Sequence, residues 1–327
     1  MKYRVTIPSF DINLTPIEET PPIVVPPIVE PPTEQPSNDL SYPFKKDSWI
    51  YKKGPYSVDP NSAAIVADLA AQSKDKASGG SATYFPNIAI SNWSTPIIHV
   101  TKDIPKKTIV YSSNLGKSIQ IRVPDNIFAA GGGDKHCAIF DWIDGNFVDM
   151  WKFDPATLKA IHGGAITGFQ NSDGTFPNPM GARACGIAAQ VGVITLDSLS
   201  KGVHNSVIAI ATTYTSKTPK WPANRVDQGS NIAYSSIVRM GQIFRLPADY
   251  VVPSNWPPIL KIIATAARDY GMVVIDTTGG ANINMAYIED PRALGKTSVQ
   301  ITDAYFGGLA SWKICQMFPW SKLIALL

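Results

Sequence analysis

Apolar and polar positions alternate most clearly in the segment 134–153, DKHCAIFDWIDGNFVDMWKF, where two period-two runs meet at Asp144-Gly145. That dipeptide favours a tight type I′ turn because both of its residues tolerate positive φ, so the pattern predicts a β-hairpin. A two-residue loop pairs Ile143 with Asn146 and carries the register outward to Asp141 with Val148, Ile139 with Met150, and Cys137 with Lys152. The other face then holds Trp142 with Phe147, Phe140 with Asp149, Ala138 with Trp151, and His136 with Phe153. The first face is mostly aliphatic and suited to a core. The second mixes rings with an imidazole and a carboxylate. Turned to solvent, it predicts a carbohydrate platform, since sugars offer flat C–H patches for stacking and hydroxyls for hydrogen bonding. The competing reading places the rings in a core, because aromatic residues favour strands for packing alone.

Elsewhere the pattern predicts short strands separated by Pro, Asn and Gly: 96–101, 108–112, 118–123, 203–214, 237–246 and 272–276. In 203–214, His204, Ser206, Ile208 and Ile210 share a face. Helical spacing is convincing once, over 259–270, where Ile259, Ile263, Ala266 and Tyr270 repeat and Gly271 stands at the C′ position. A shorter helix is predicted over 63–72, opened by Asp59-Pro60-Asn61-Ser62, and one helical turn over 195–202. Residues 153–178 read as a long surface excursion carrying His162, and 312–327 as a last strand or a contact surface. Within 181–192, rich in small residues, Arg183 is the only charge, and a charge there must be paired or reach a ligand. Trp221-Pro222-Ala223 opens another loop.

Composition sharpens this picture. With 24 Gly, 27 Pro, 44% hydrophobic and 17% charged residues among 327, the chain suits many turns between short strands, a mainly β fold. The proline doublets Pro21-Pro22, Pro26-Pro27 and Pro31-Pro32 recur every five residues, which predicts a polyproline-II spacer rising about 3.1 Å per residue. The expected organisation is an anchoring peptide over 1–15 (Tyr3, Val5, Ile7, Phe10), a spacer over 16–44, and a globular domain over 45–327 with a candidate sub-boundary near 125. A net charge of +3 without a basic block argues against nucleic acid as principal partner. Cys137, Cys185 and Cys315 form no CxxC pair, so neither a disulfide framework nor a zinc site is expected. No apolar h-region follows the N-terminal residues and no run of about 18 apolar residues occurs, so neither a signal peptide nor a membrane span is expected.

Candidate chemistry is sparse. Beyond residue 34 the only glutamate is Glu289, so a glycosidase carboxylate pair would have to be drawn from aspartates: Asp134, Asp149, Asp227 or Asp276, with no spacing that selects among them. A polysaccharide lyase would use His136 or Tyr270 as base near Arg122. No GxSxG elbow, HExxH or close histidine pair is present, so no cofactor or catalytic metal is expected.

The ordered set Asp134–His136, 147–151, 181–186, 199–204, Trp221-Pro222-Ala223, 240–246 and Arg268-Asp269-Tyr270-Gly271-Met272 running on to Asp276 resembles a β-sandwich group found in phage minor tail or tail-fibre proteins and secreted bacterial proteins. The resemblance covers about half the chain and implies a jelly-roll or concanavalin-like β-sandwich, beside one or two short helices and the extended Pro-rich arm. It also implies exposure on a virion, facing host surface glycans. The resulting expectation is a virion-associated protein, multimeric in its assembly, held to other virion proteins through residues 1–40. Its expected ligand residues are His136, Phe140, Asp149, Trp151, Arg183, His204, Trp221 and Asp276. A tail-associated polysaccharide-degrading enzyme and a purely structural capsid or tail-tip subunit are the alternatives.

Overall fold

The hairpin forms, but its register is displaced by two residues. In the computed structural model, strands Cys137–Asp141 and Asn146–Trp151 pair Cys137 with Met150, Ile139 with Val148, Phe140 with Phe147 and Asp141 with Asn146. The loop is therefore four residues long. Asp141 explains it: its Oδ1 accepts the backbone N–H groups of Ile143 at 3.2 Å and Asp144 at 3.3 Å, building the turn from a side chain. Arg122 fixes the same carboxylate through an ion pair at 3.2 Å. A slip of two leaves every side chain on its expected face.

What differs is what those faces meet. The structure describes residues 40, 42–74, 76–78, 82–84, 86–113, 117–227, 235–278 and 282–327. Among them the hairpin belongs to a four-stranded sheet ordered His162–Thr167, Asn146–Trp151, Cys137–Asp141, Ile97–Val100. A three-stranded sheet (Lys106–Tyr111, Ser118–Arg122, Lys159–Ala160) covers one face, with Ile109, Tyr111 and Ile121 against Cys137, Ile139 and Met150. A seven-stranded sheet covers the other, where Ala209, Ala211, Val273 and Ile275 meet Phe140 and Phe147. Both faces of the hairpin are thus core, and all five residues of Cys137–Asp141 are buried.

The seven-stranded sheet alternates between two cores with the period of two that a pleated strand imposes. Ile208, Ile210, Met272 and Val274 point away from the hairpin, onto helices Ser62–Gln72 and Pro258–Asp269. Pro258 lies at the start of the second helix, where a missing N–H costs nothing. Past its end Gly271 adopts φ +101°, and a Cβ there would meet the Phe244 carbonyl at 2.8 Å. Strands Ile208–Thr212 and Met272–Thr277 run parallel, and the connection between them carries this helix.

Short strands separated by turns are present as composition suggested, but helices stand beside them in nearly equal measure, so the mainly β expectation holds only in part. The finer expectation is corrected. A jelly-roll or concanavalin-like sandwich is antiparallel throughout, whereas parallel pairs join Ile97–Val100 to Cys137–Asp141, Ile208–Thr212 to Met272–Thr277, and Asn87–Ala89 to Asn284–Ile288. With its outer helices, the fold is mixed α/β. Two further segments differ from their patterns. Within 153–178, His162–Thr167 is an edge strand and Phe169 and Phe176 fill the core. Within 312–327, helix Ser311–Met317 precedes a short strand, Ile324–Ala325.

The described residues belong to the unit Asn38–Leu327, whose core includes Phe44, slightly ahead of the expected boundary at 45. Tyr3, Val5, Ile7, Phe10 and the doublets Pro21-Pro22, Pro26-Pro27 and Pro31-Pro32 lie outside the described residues. No described helix is long and apolar enough to cross a membrane.

Candidate functional site

At the carboxyl ends of the parallel strands Ile208–Thr212 and Met272–Thr277 a cavity of about 530 Å³ opens. Crevices at such ends are where open α/β sheets commonly bind ligands, because the connections diverge there and leave backbone and side chains unburied. Its polar lining comes from distant parts of the chain: Asp134 and His136 before the hairpin, Arg183, Asp227, Asp276 and Tyr287.

Thr277 organises two of the three carboxylates. Its backbone N–H donates to Asp276 Oδ1 at 2.8 Å, and its hydroxyl donates to Asp227 Oδ2 at 3.3 Å. Burial pushes the Asp276 carboxyl up to about 7, and the Asp227 carboxylate pushes it the same way. The third carboxylate, Asp134, accepts the Trp151 indole N–H on Oδ1 at 3.0 Å.

Arg183 is held from behind by its own loop. Asp149 accepts the backbone N–H groups of Ala182 on Oδ1 and of Ala189 on Oδ2, each at 3.0 Å, bracketing the arginine. Arg225 clamps the same loop by donating to the carbonyls of Met180 at 2.6 Å, Gly181 at 3.1 Å and Arg183 at 2.8 Å. Arg183 Nη1 donates to the Val191 carbonyl at 2.8 Å, and its guanidinium lies 5.8 Å from the Tyr287 ring centre. Only 3% of the residue is exposed, and its Nη2 has no hydrogen-bond partner. His136 is similar: 7% exposed, bonded to the Met150 backbone, with Nδ1 unpartnered. Burial lowers its pKa to about 4, so the ring is neutral near pH 7 and Nδ1 is an acceptor.

Trp93 forms part of the rim and is 46% exposed. It lies close over the glycine run, where a Cβ at Gly132 (φ +83°) would meet the indole at 2.9 Å. Gly132 and Gly133 let the ring lie against the backbone beside the cavity.

Of the eight expected ligand residues, His136, Arg183 and Asp276 line this cavity. Trp151 is half-buried and one hydrogen bond removed, behind Asp134. The expectation for Phe140 and Asp149 is corrected: both are fully buried, Phe140 stacked with His99 and tilted against Phe147, Asp149 bonded to backbone. His204 is buried in hydrogen bonds to Ser206 at 2.7 Å and Ser198 at 3.3 Å, away from the cavity. Trp221 is 63% exposed, packs edge-on against Trp49 and is not part of the lining. Asp134 and Asp227 were legible only as members of a set of carboxylates. Trp93, Tyr287 and the lining asparagines Asn87 and Asn284 carried no signal, because only the sheet order brings them together. Among the described residues no three His, Cys, Asp or Glu side chains are grouped to hold a metal ion. No protein-family model, curated protein or solved structure matches the chain.

Proposed function

We propose that the chain is a glycan-binding protein that holds a saccharide in the cavity at the ends of strands Ile208–Thr212 and Met272–Thr277. The observation that carries this reading is that Arg183 and His136 line one cavity and each keeps an unmade hydrogen bond, a donor on Arg183 Nη2 and an acceptor on His136 Nδ1. A buried polar atom left without a partner costs about 1–3 kcal/mol, so a ligand that completes both gains accordingly. A sugar hydroxyl donates and accepts at once, and neighbouring hydroxyls reach Asp134, Asp227 and Asn284. The exposed Trp93 ring supplies the apolar plate on which a pyranose face stacks.

In this proposal the protein is virion-associated, with residues 1–40 as its attachment to other virion proteins and host surface polysaccharide as its ligand. The support is the proline-rich arm in the sequence together with the ordered motifs noted above. Multiple copies in the assembly add avidity to weak single sites. Binding to an array of bacterial capsular polysaccharides, O-antigens and peptidoglycan fragments tests the reading. Wild type retains a defined subset of these glycans, and Arg183→Met, checked for folding by circular dichroism, loses them at least about tenfold. Equal retention by the variant rules the cavity out as the binding site.

A further inference from the structure

Thr277 ties the carboxylates of Asp276 and Asp227 to one residue at the mouth of the sheet, which is more than a binding pocket requires. Two carboxyl groups facing one bound sugar are the working parts of glycoside hydrolysis, provided that one is protonated when the other is ionised. A cluster of carboxylates alone would say little. Here the cluster shares its cavity with a nearly fully buried arginine and histidine, each with a polar atom unpartnered.

We infer that the cavity cleaves the glycan it holds, with Asp276 as general acid and Asp227 as general base, an inference that rests on the glycan-binding reading above. Asp276 delivers its proton to the glycosidic oxygen as the bond from that oxygen to the anomeric carbon breaks. Water adds to the anomeric carbon, and Asp227 takes the proton that water loses. The products are a new reducing end and a free hydroxyl, and exchange with solvent returns one proton from Asp227 to Asp276. Nothing is oxidised or reduced. Arg183 and His136 position hydroxyls of the same sugar, and Asp134, held by Trp151, adds a third carboxyl group to the lining of the same cavity. The raised pKa of Asp276, about 7, keeps a useful fraction of the acid protonated near neutrality.

The test uses the full chain and those glycans of the array that it retains. New reducing ends are measured after incubation, together with the absorbance of unsaturated uronate. Hydrolysis predicts reducing ends without that absorbance, a rate that falls as pH rises through about 7, and a loss of at least about 100-fold in Asp276→Asn. Circular dichroism checks that this variant folds. Retention by wild type without any new reducing end overturns catalysis and leaves the binding reading standing. Absorbance from unsaturated ends, or an undiminished rate in Asp276→Asn, overturns the assigned roles. If the array retains nothing, the binding reading fails and this inference falls with it.

Discussion

Trp151 and Asp134 meet through an indole N–H to Oδ1 hydrogen bond of 3.0 Å, tying the outer end of the hairpin to a carboxylate of the cavity. The tryptophan thus serves the site without lining it. Trp151→Phe keeps most of the ring and removes the donor, so the free energy of unfolding falls by about 1 kcal/mol in urea titration. Glycan retention weakens as well, because Asp134 is released from its fixed rotamer. An unchanged urea midpoint and unchanged retention together contradict this role.

Asp149 is the clamp on the Arg183 loop. Asp149→Ala leaves the N–H groups of Ala182 and Ala189 without their acceptors. Each buried orphan costs about 1–3 kcal/mol, so a total loss of ~2–6 kcal/mol is expected. Hydrogen exchange at these two amides accelerates ahead of global unfolding. Exchange at the wild-type rate would mean that the loop holds itself.

Phe140 belongs to the core between the four-stranded and seven-stranded sheets, stacked with His99 at a ring separation of 5.3 Å. Phe140→Ala therefore costs about 3–5 kcal/mol of stability, as cavity-forming substitutions of aromatic residues do. In whatever fraction remains folded, glycan retention is unaffected. The opposite pattern, stable protein with lost binding, is what an exposed sugar platform would give.

Glu289 gives a pH-dependent prediction. Its Oε2 accepts the Leu196 N–H at 2.9 Å, and burial raises its pKa from 4.5 to about 7. A carboxyl with a raised folded-state pKa binds its proton more tightly in the native state. Stability from this group is fully present below pH 4.5 and is lost as pH rises to about 7. Glu289→Gln keeps an acceptor oxygen and removes the titration. Variant and wild type should therefore unfold alike near pH 4.5, and the variant should be the more stable at pH 8, by up to about 3 kcal/mol. A stability difference that does not change with pH contradicts the assignment.

Local chemistry was the legible part of the fold. Pro257-Pro258, the spacing of Ile259, Ile263 and Ala266, and Gly271 delimit a helix whose observed span is Pro258–Asp269. The hairpin was legible too, but its register was not: Asp144-Gly145 favours a two-residue loop, and the acceptor on Asp141 wins by capping a four-residue one. The inward packing of Phe140 was illegible for a different reason. Alternation separates two faces and cannot say that a second sheet covers the face richer in rings. The same limit applies to the site. Asp134, His136, Arg183 and Asp276 stand out singly as charges or imidazoles beside small residues. Their convergence with Tyr287 and Asp227 depends on the order of strands in the seven-stranded sheet, which no local spacing records.

A crystal structure of the full chain with a retained oligosaccharide tests the account most directly. The predicted result is a sugar ring in the cavity beside Trp93, with hydroxyl oxygens within hydrogen-bond distance of Arg183 Nη2 and His136 Nδ1. Saccharide density on any other surface, with both of those atoms still unpartnered, contradicts it.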